Sequence, residues 1–174
     1  MTVMPGYVVH LAVAEEYLKK HPNSEKYEEF INGVIFPDSV KDKSLTHYGS
    51  GSSEVNLVDF LKDKKLDNSF NRGYFLHLYT DYLFYNKYID TFSDDIYNDY
   101  DLTNGLLIKK YNLTLPESVK KYVFFKTEGE CRILTMELAS TVIDELSEDS
   151  IDDIERDIKQ NPQKWMEHRK MKKI

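Results

Sequence analysis

Gly73-Tyr74-Phe75-Leu76-His77-Leu78-Tyr79-Thr80-Asp81-Tyr82-Leu83 is the stretch that decides how this chain is read. Apolar and aromatic side chains fill most positions, without the alternation of a strand. The pattern predicts a helix over about Phe70 to Tyr88, opened by Asn68 or Ser69 and apolar around most of its circumference. Such a helix belongs at the centre of a fold. It also carries a conflict. His77 and Asp81 stand one helical turn apart, so imidazole and carboxylate share a face. A buried carboxylate is costly unless it is paired or metal-bound. A metal with nitrogen and oxygen ligands would satisfy both groups, and a structural His–Asp hydrogen bond is the plainer alternative.

Outward from this helix, apolar residues recur at spacings of three and four. A first helix is expected from Gly6 to Lys20, with Pro5 near its start and Val9, Val13 and Tyr17 on one face. His21-Pro22-Asn23 breaks it. Ser24 is expected to cap the next helix, Glu25 to Ile35, which turns Tyr27, Phe30, Ile31 and Val34 inward and stops at Pro37. Asp38 to Ser52 reads as a loop. Ser53 to Lys64 reads as a helix burying Val55, Leu57, Val58 and Leu61. Thr91 to Tyr100 is acidic, aromatic and expected to be irregular. Further helices are expected over Asp101–Tyr111, Pro116–Phe125 and Glu130–Leu146, the last with Ile133, Met136, Leu138 and Val142 towards the core. Ser150-Ile151-Asp152-Asp153 reads as a helix start. The expected fold is all-α: a single-domain multi-helix bundle over residues 1–146, with 147–174 as a charged C-terminal helical extension. That extension changes sign, from eight acidic residues in Asp144–Asp157 to six basic ones in Lys159–Lys173.

Composition narrows the function. With 174 residues and 41% hydrophobic side chains, the chain is long and apolar enough for a real core. It has 23 Lys plus Arg against 30 Asp plus Glu, a net charge of −7, so strong nucleic-acid binding is not expected. The single cysteine, Cys131, excludes an internal disulfide and a Cys-rich zinc module, and is expected to be a small core residue. There is no apolar run of about 18 residues, so no transmembrane helix is expected. Tyr7–Ala14 lacks the basic flank of a signal peptide, and a cytoplasmic location is expected. Tyrosine is abundant, 13 against one Trp, and concentrated around the His77 motif.

Among the five histidines, His21 is expected at a helix end and His168 on the surface. The other three sit in more telling contexts. His10 lies in Val8-Val9-His10-Leu11-Ala12, and Asp38 ends Ile35-Phe36-Pro37-Asp38. His47 follows in Thr46-His47-Tyr48, and then comes the His77-x-x-x-Asp81 motif. This order, beginning at Met4-Pro5-Gly6, resembles the bacterial zinc-dependent phospholipase C family, and more closely its short members, over about residues 4–112. The resemblance implies an all-helical fold with zinc ions in a cleft between helices. By motif, Asp38, His47, His77 and Asp81 look like the ligands of one metal. His10 looks like a ligand of a second, with Asp81 bridging. The family's later His, His and Glu ligands have no histidine counterpart here. Asp99 and Asp101 lie at a comparable separation and are the candidates to replace them, the alternative being an acidic turn or helix cap. The family's N-terminal zinc-binding tryptophan also lacks a counterpart, since the only tryptophan is Trp165.

These residues lead to an expected function: a metal-dependent phosphoric-ester hydrolase. One or two zinc ions would activate water, although the same donors suit manganese, iron or nickel. Asp38 is the candidate general base. Tyr48, Tyr79 and Tyr82 are expected to hydrogen-bond the substrate, a phosphoester small molecule or a phospholipid head group. Arg72 is a candidate for holding phosphate, against a surface ion pair. The rival reading is a non-catalytic binding or scaffold module that keeps a degenerate or structural metal site.

Overall fold

The computed structural model describes residues 6–174 as an all-α fold around one hydrophobic core. Met4 and Pro5 lie outside the described residues. Nine α-helices are present in that range: α1 (Tyr7–Lys20), α2 (Tyr27–Ile35), α3 (Ser44–His47), α4 (Leu57–Asp63), α5 (Ser69–Leu83), α6 (Asp95–Lys110), α7 (Glu117–Lys120), α8 (Met136–Leu146) and α9 (Ile151–Gln160). The only sheet there is a parallel pair of two-residue strands, β1 (Thr91–Phe92) and β2 (Lys172–Lys173). No helix among the described residues is long and apolar enough to cross a membrane.

The central helix is α5. Its Asn68 cap accepts a hydrogen bond from the Asn71 N–H at 2.8 Å, and Gly73 through Tyr82 are all buried. Fully burying a side chain such as Phe75 or Leu78 is worth roughly 1.5–3 kcal/mol, so packing outweighs the weak helix propensity of its aromatic residues. A π turn over Phe84–Tyr88 continues α5. Helix α2 lies directly against α5, and two glycines set the distance. A Cβ on Gly33 would stand 2.0 Å from the Phe70 carbonyl oxygen, and one on Gly73 would stand 2.0 Å from that of Phe30. Helix α1 is buried from Tyr7 to Ala14, more completely than a single face of Val9, Val13 and Tyr17 implies.

Several sequence expectations need correction. Tyr27 is 52% exposed and bonds Glu15 rather than entering the core. Ser24 does not cap α2, because its hydroxyl turns back to the His21 carbonyl. Two short helical turns, Phe36–Asp38 and α3, structure the expected loop. Helix α4 starts later than Ser53, at an Asn56 cap that accepts from the Asp59 N–H at 2.9 Å. Helix α6 begins at Asp95, inside the segment expected to be irregular. Pro116 precedes only the one-turn α7. Helix α8 starts at Met136, after a Thr135 cap whose hydroxyl accepts from the Leu138 N–H, and Ala139, Val142, Ile143 and Leu146 form its buried face. Ile133, Met136 and Leu138 are only half-buried, and so is Cys131.

The charged C-terminal segment is integrated into the core. Ser150 caps α9, whose Ile151, Ile154 and Ile158 are buried together with Trp165. Beyond α9 the chain has one short turn, Lys164–Met166, before β2 pairs with β1 in the register Thr91↔Lys172 and Phe92↔Lys173. Arg72, weighed as a phosphate ligand, is instead paired with Glu25 at 2.6 Å and Asp152 at 2.8 Å.

Candidate metal centre

Four segments bring His10, Asp38, His47, His77 and Asp81 together, and all five are buried. His10 comes from α1, and His77 and Asp81 come from α5. Asp38 ends the turn that follows α2, and His47 ends α3. Backbone-directed bonds fix this geometry. Tyr7 donates its hydroxyl to the Asp38 carbonyl at 3.0 Å, Thr46 donates to that of Pro37 at 2.8 Å, and Tyr74 donates to that of Thr46 at 2.6 Å.

The histidine tautomers follow from their partners. His77 Nδ1 is 2.7 Å from the Val34 carbonyl oxygen, and His47 Nδ1 is 3.0 Å from that of Lys43. A carbonyl can only accept, so each Nδ1 carries a hydrogen, and in the neutral ring Nε2 presents its lone pair. Metal-binding histidines are oriented in this way by an outer hydrogen bond.

The four inner donor atoms nearly meet. His47 Nε2 is 3.5 Å from Asp38 Oδ1 and 3.2 Å from Asp81 Oδ2, and His77 Nε2 is 3.6 and 3.2 Å from the same atoms. Even so, His47 Nε2, His77 Nε2 and Asp81 Oδ2 are buried without an aligned hydrogen bond. Tetrahedral ligands about 2.0–2.1 Å from an ion stand roughly 3.3–3.4 Å apart, close to these four His–Asp separations, and two three-ligand sets, Asp38–His47–His77 and His10–His77–Asp81, meet within reach of an ion. The cluster can therefore hold a metal ion.

Asp81 turns its other oxygen, Oδ1, to His10 Nε2 at 3.0 Å. The His10 ring stacks on His77 with centroids 3.6 Å apart and planes 7° apart. Two adjacent imidazolium ions would repel each other. Burial and then His77 push the His10 pKa down. Burial would also lower His77, but the Asp38 and Asp81 carboxylates outweigh it and push the pKa up to about 10 in the metal-free protein. Both carboxylates are held below their usual range despite burial, Asp38 chiefly by His77 and Asp81 chiefly by His10. Lys43 adds a cation, with Nζ 2.5 Å from Asp38 Oδ1.

These shifts fix the sign of a pH effect. The raised His77 pKa stabilises the metal-free fold fully below about 6.5, and that contribution is lost as pH rises through about 10. A metal must displace the same proton. Zinc affinity is expected to rise about tenfold per pH unit across pH 7–9, read by competition with a chelator of known protonation. A flat profile would remove the His77 proton from the binding equilibrium.

The remaining expected site residues lie elsewhere. Asp99 is fully buried, and its carboxylate accepts the backbone N–H groups of Arg132, Ile133 and Leu134 at 2.9, 2.7 and 2.8 Å. Its role is to pin the segment before α8. Asp101 is half-buried and lies 4.0 Å from Lys126. Asp99→Ala is expected to cost about 2–4 kcal/mol in urea unfolding while metal content stays unchanged. Lost metal in the folded variant would restore Asp99 to the ligand set.

The three expected substrate tyrosines are engaged in structural bonds. Tyr48 donates to Asp63, Tyr79 to Asp149, and Tyr82 to the Glu167 carbonyl. A cavity of ≈ 970 Å³ instead opens beside His10, Asp38 and Asp81, with Tyr85, Tyr97 and Tyr100 in its wall. Among the described residues, the hydroxyls of these three make no hydrogen bond. Tyr85 was within reach of the sequence, being one helical turn beyond Asp81 on the face of His77. No local signal marks Tyr97, Tyr100 or Lys43. No protein-family model, curated protein or solved structure matches this chain.

Proposed function

We propose that this protein is a metal-dependent phosphoric-ester hydrolase, related in ligand order to the zinc-dependent phospholipase C family. One observation carries the reading: buried, unpaired donor atoms of His47, His77 and Asp81 converge with Asp38 beside a large cavity. The ion we infer is zinc, in one or two copies, and manganese, iron or nickel would suit the same donors. When bound, such an ion lowers the pKa of its water and stabilises charge on phosphoryl oxygens.

The chain's own groups do the rest. His47 and His77 are held as lone-pair donors by their Nδ1–H bonds to carbonyls. Asp38, placed at the cavity wall, accepts the proton of the attacking water. Tyr85, Tyr97 and Tyr100 direct hydroxyl donors at the phosphoryl oxygens, and their rings exclude bulk water. The substrate is a phosphoester, either a small soluble molecule or a phospholipid head group. The lone Cys131 suits a reducing cytoplasm, which we propose as the location.

Mass spectrometry of the full chain tests this. One or two metal ions per chain, together with hydrolysis of nitrophenyl phosphoesters that stops on chelation, are expected. A folded protein that stays empty after zinc or manganese is added would mark the cluster as a structural hydrogen-bond network in a binding module.

A further inference from the structure

The charge lining the cavity runs against the charge of the chain. Overall, 30 acidic residues face 23 Lys plus Arg. Among the described residues, the only carboxylates in the cavity wall are Asp38 and Asp81, both members of the cluster, and the other charged side chains beyond His10 are Lys41, Lys43 and Lys173. Lys43 reaches in to Asp38. Lys41 and Lys173 are exposed at the mouth, and among the described residues neither forms an ion pair.

Lys173 is placed there by the fold. The β1–β2 pair sets it opposite Phe92, and both side chains line the cavity. Cations gathered at the mouth of a cleft in a net acidic protein concentrate anions locally. Tyrosine faces alone would suit a quaternary ammonium group. Lysines beside them repel that group, and a metal ion in the cluster adds further positive charge.

We propose that the cavity selects a phosphoester bearing at least two negative charges, such as a phosphomonoester dianion, over a zwitterionic phosphocholine ester. Lys41 and Lys173 are the specificity-determining residues and Lys43 meets the phosphate next to Asp38. This rests on the hydrolase reading above, and the two can fail separately.

The test compares zinc-loaded wild type with the Lys41→Ala/Lys173→Ala double variant on nitrophenyl phosphate and nitrophenyl phosphorylcholine. Wild type is expected to prefer the dianion in kcat/KM. The double variant is expected to raise KM for the dianion about tenfold with kcat within about twofold, and to lower KM for the phosphorylcholine ester, whose ammonium group the lysines no longer repel. A wild-type preference for the phosphorylcholine ester, or an unchanged KM for the dianion in the variant, overturns the proposal while leaving the hydrolase reading intact. If neither ester is hydrolysed by metal-loaded protein, the hydrolase reading fails, and calorimetric titration decides the cavity's preference. Inorganic phosphate binding more tightly than phosphocholine, and weakened in the variant, supports the proposal. Equal or reversed affinities overturn it.

Discussion

His77→Ala is expected to purify folded but empty of metal, with phosphoester turnover reduced at least about 100-fold. His77 belongs to both groupings of metal-competent side chains and lies between the two carboxylates. Its loss leaves Asp38 and Asp81 buried without their shared counter-charge, so stability should also fall, most steeply at neutral pH where both are ionised. His77→Gln separates the two effects. It keeps a donor to the Val34 carbonyl and should recover part of the stability without recovering metal. Full metal retention in either variant would sink the assignment of the centre.

Gly33→Ala and Gly73→Ala are each expected to cost on the order of 3 kcal/mol, a melting-temperature fall of roughly 6–12 °C. The added methyl would stand 2.0 Å from a backbone carbonyl oxygen, and backbone cannot rotate away as a side chain can. The helices must separate. Separation also shifts Val34, whose carbonyl orients His77, so zinc affinity should drop about 10–100-fold even in the folded fraction. Urea unfolding and metal titration on the same samples check both effects. A cost below about 1 kcal/mol would mean that α2 and α5 are not packed at the distance described.

The helices legible in the sequence were those whose caps and apolar pattern agree locally. Asn68 before α5, Ser150 before α9 and the apolar run of α1 are examples. What misled was tertiary. The amphipathic pattern over Glu130–Leu146 is continuous, but Asp99 takes the N–H groups of residues 132–134 and delays α8 to Met136. The segment before α6 looked irregular because its acidic and aromatic residues find their partners far along the chain, as Asp95 does in Arg132.

At the centre, the positions of the five His and Asp residues were legible because an imidazole or carboxylate in an apolar run demands a partner. Their meeting place is a property of the fold. Tyr48, Tyr79 and Tyr82, expected at the substrate, are bonded elsewhere, because nearness in sequence to His47 or His77 is not nearness to the cavity. Tyr79 and Tyr82 point to the C-terminal segment, whereas Tyr97 and Tyr100 arrive from α6. The lysines at the cavity mouth come from the turn after Asp38 and from the last strand, and only the folded chain joins them.

The five side chains also tie together parts of the chain that fold separately in sequence: the first helix, the turn after the second, the short third helix and the central fifth. An ion held among them acts as a cross-link over the N-terminal half, comparable in its effect to a disulfide, in a chain whose one cysteine cannot form one within itself. The folded population would then track free metal concentration. A chelator would behave as a mild denaturant, and the segment between Asp38 and Asn56 would become the first target of a protease.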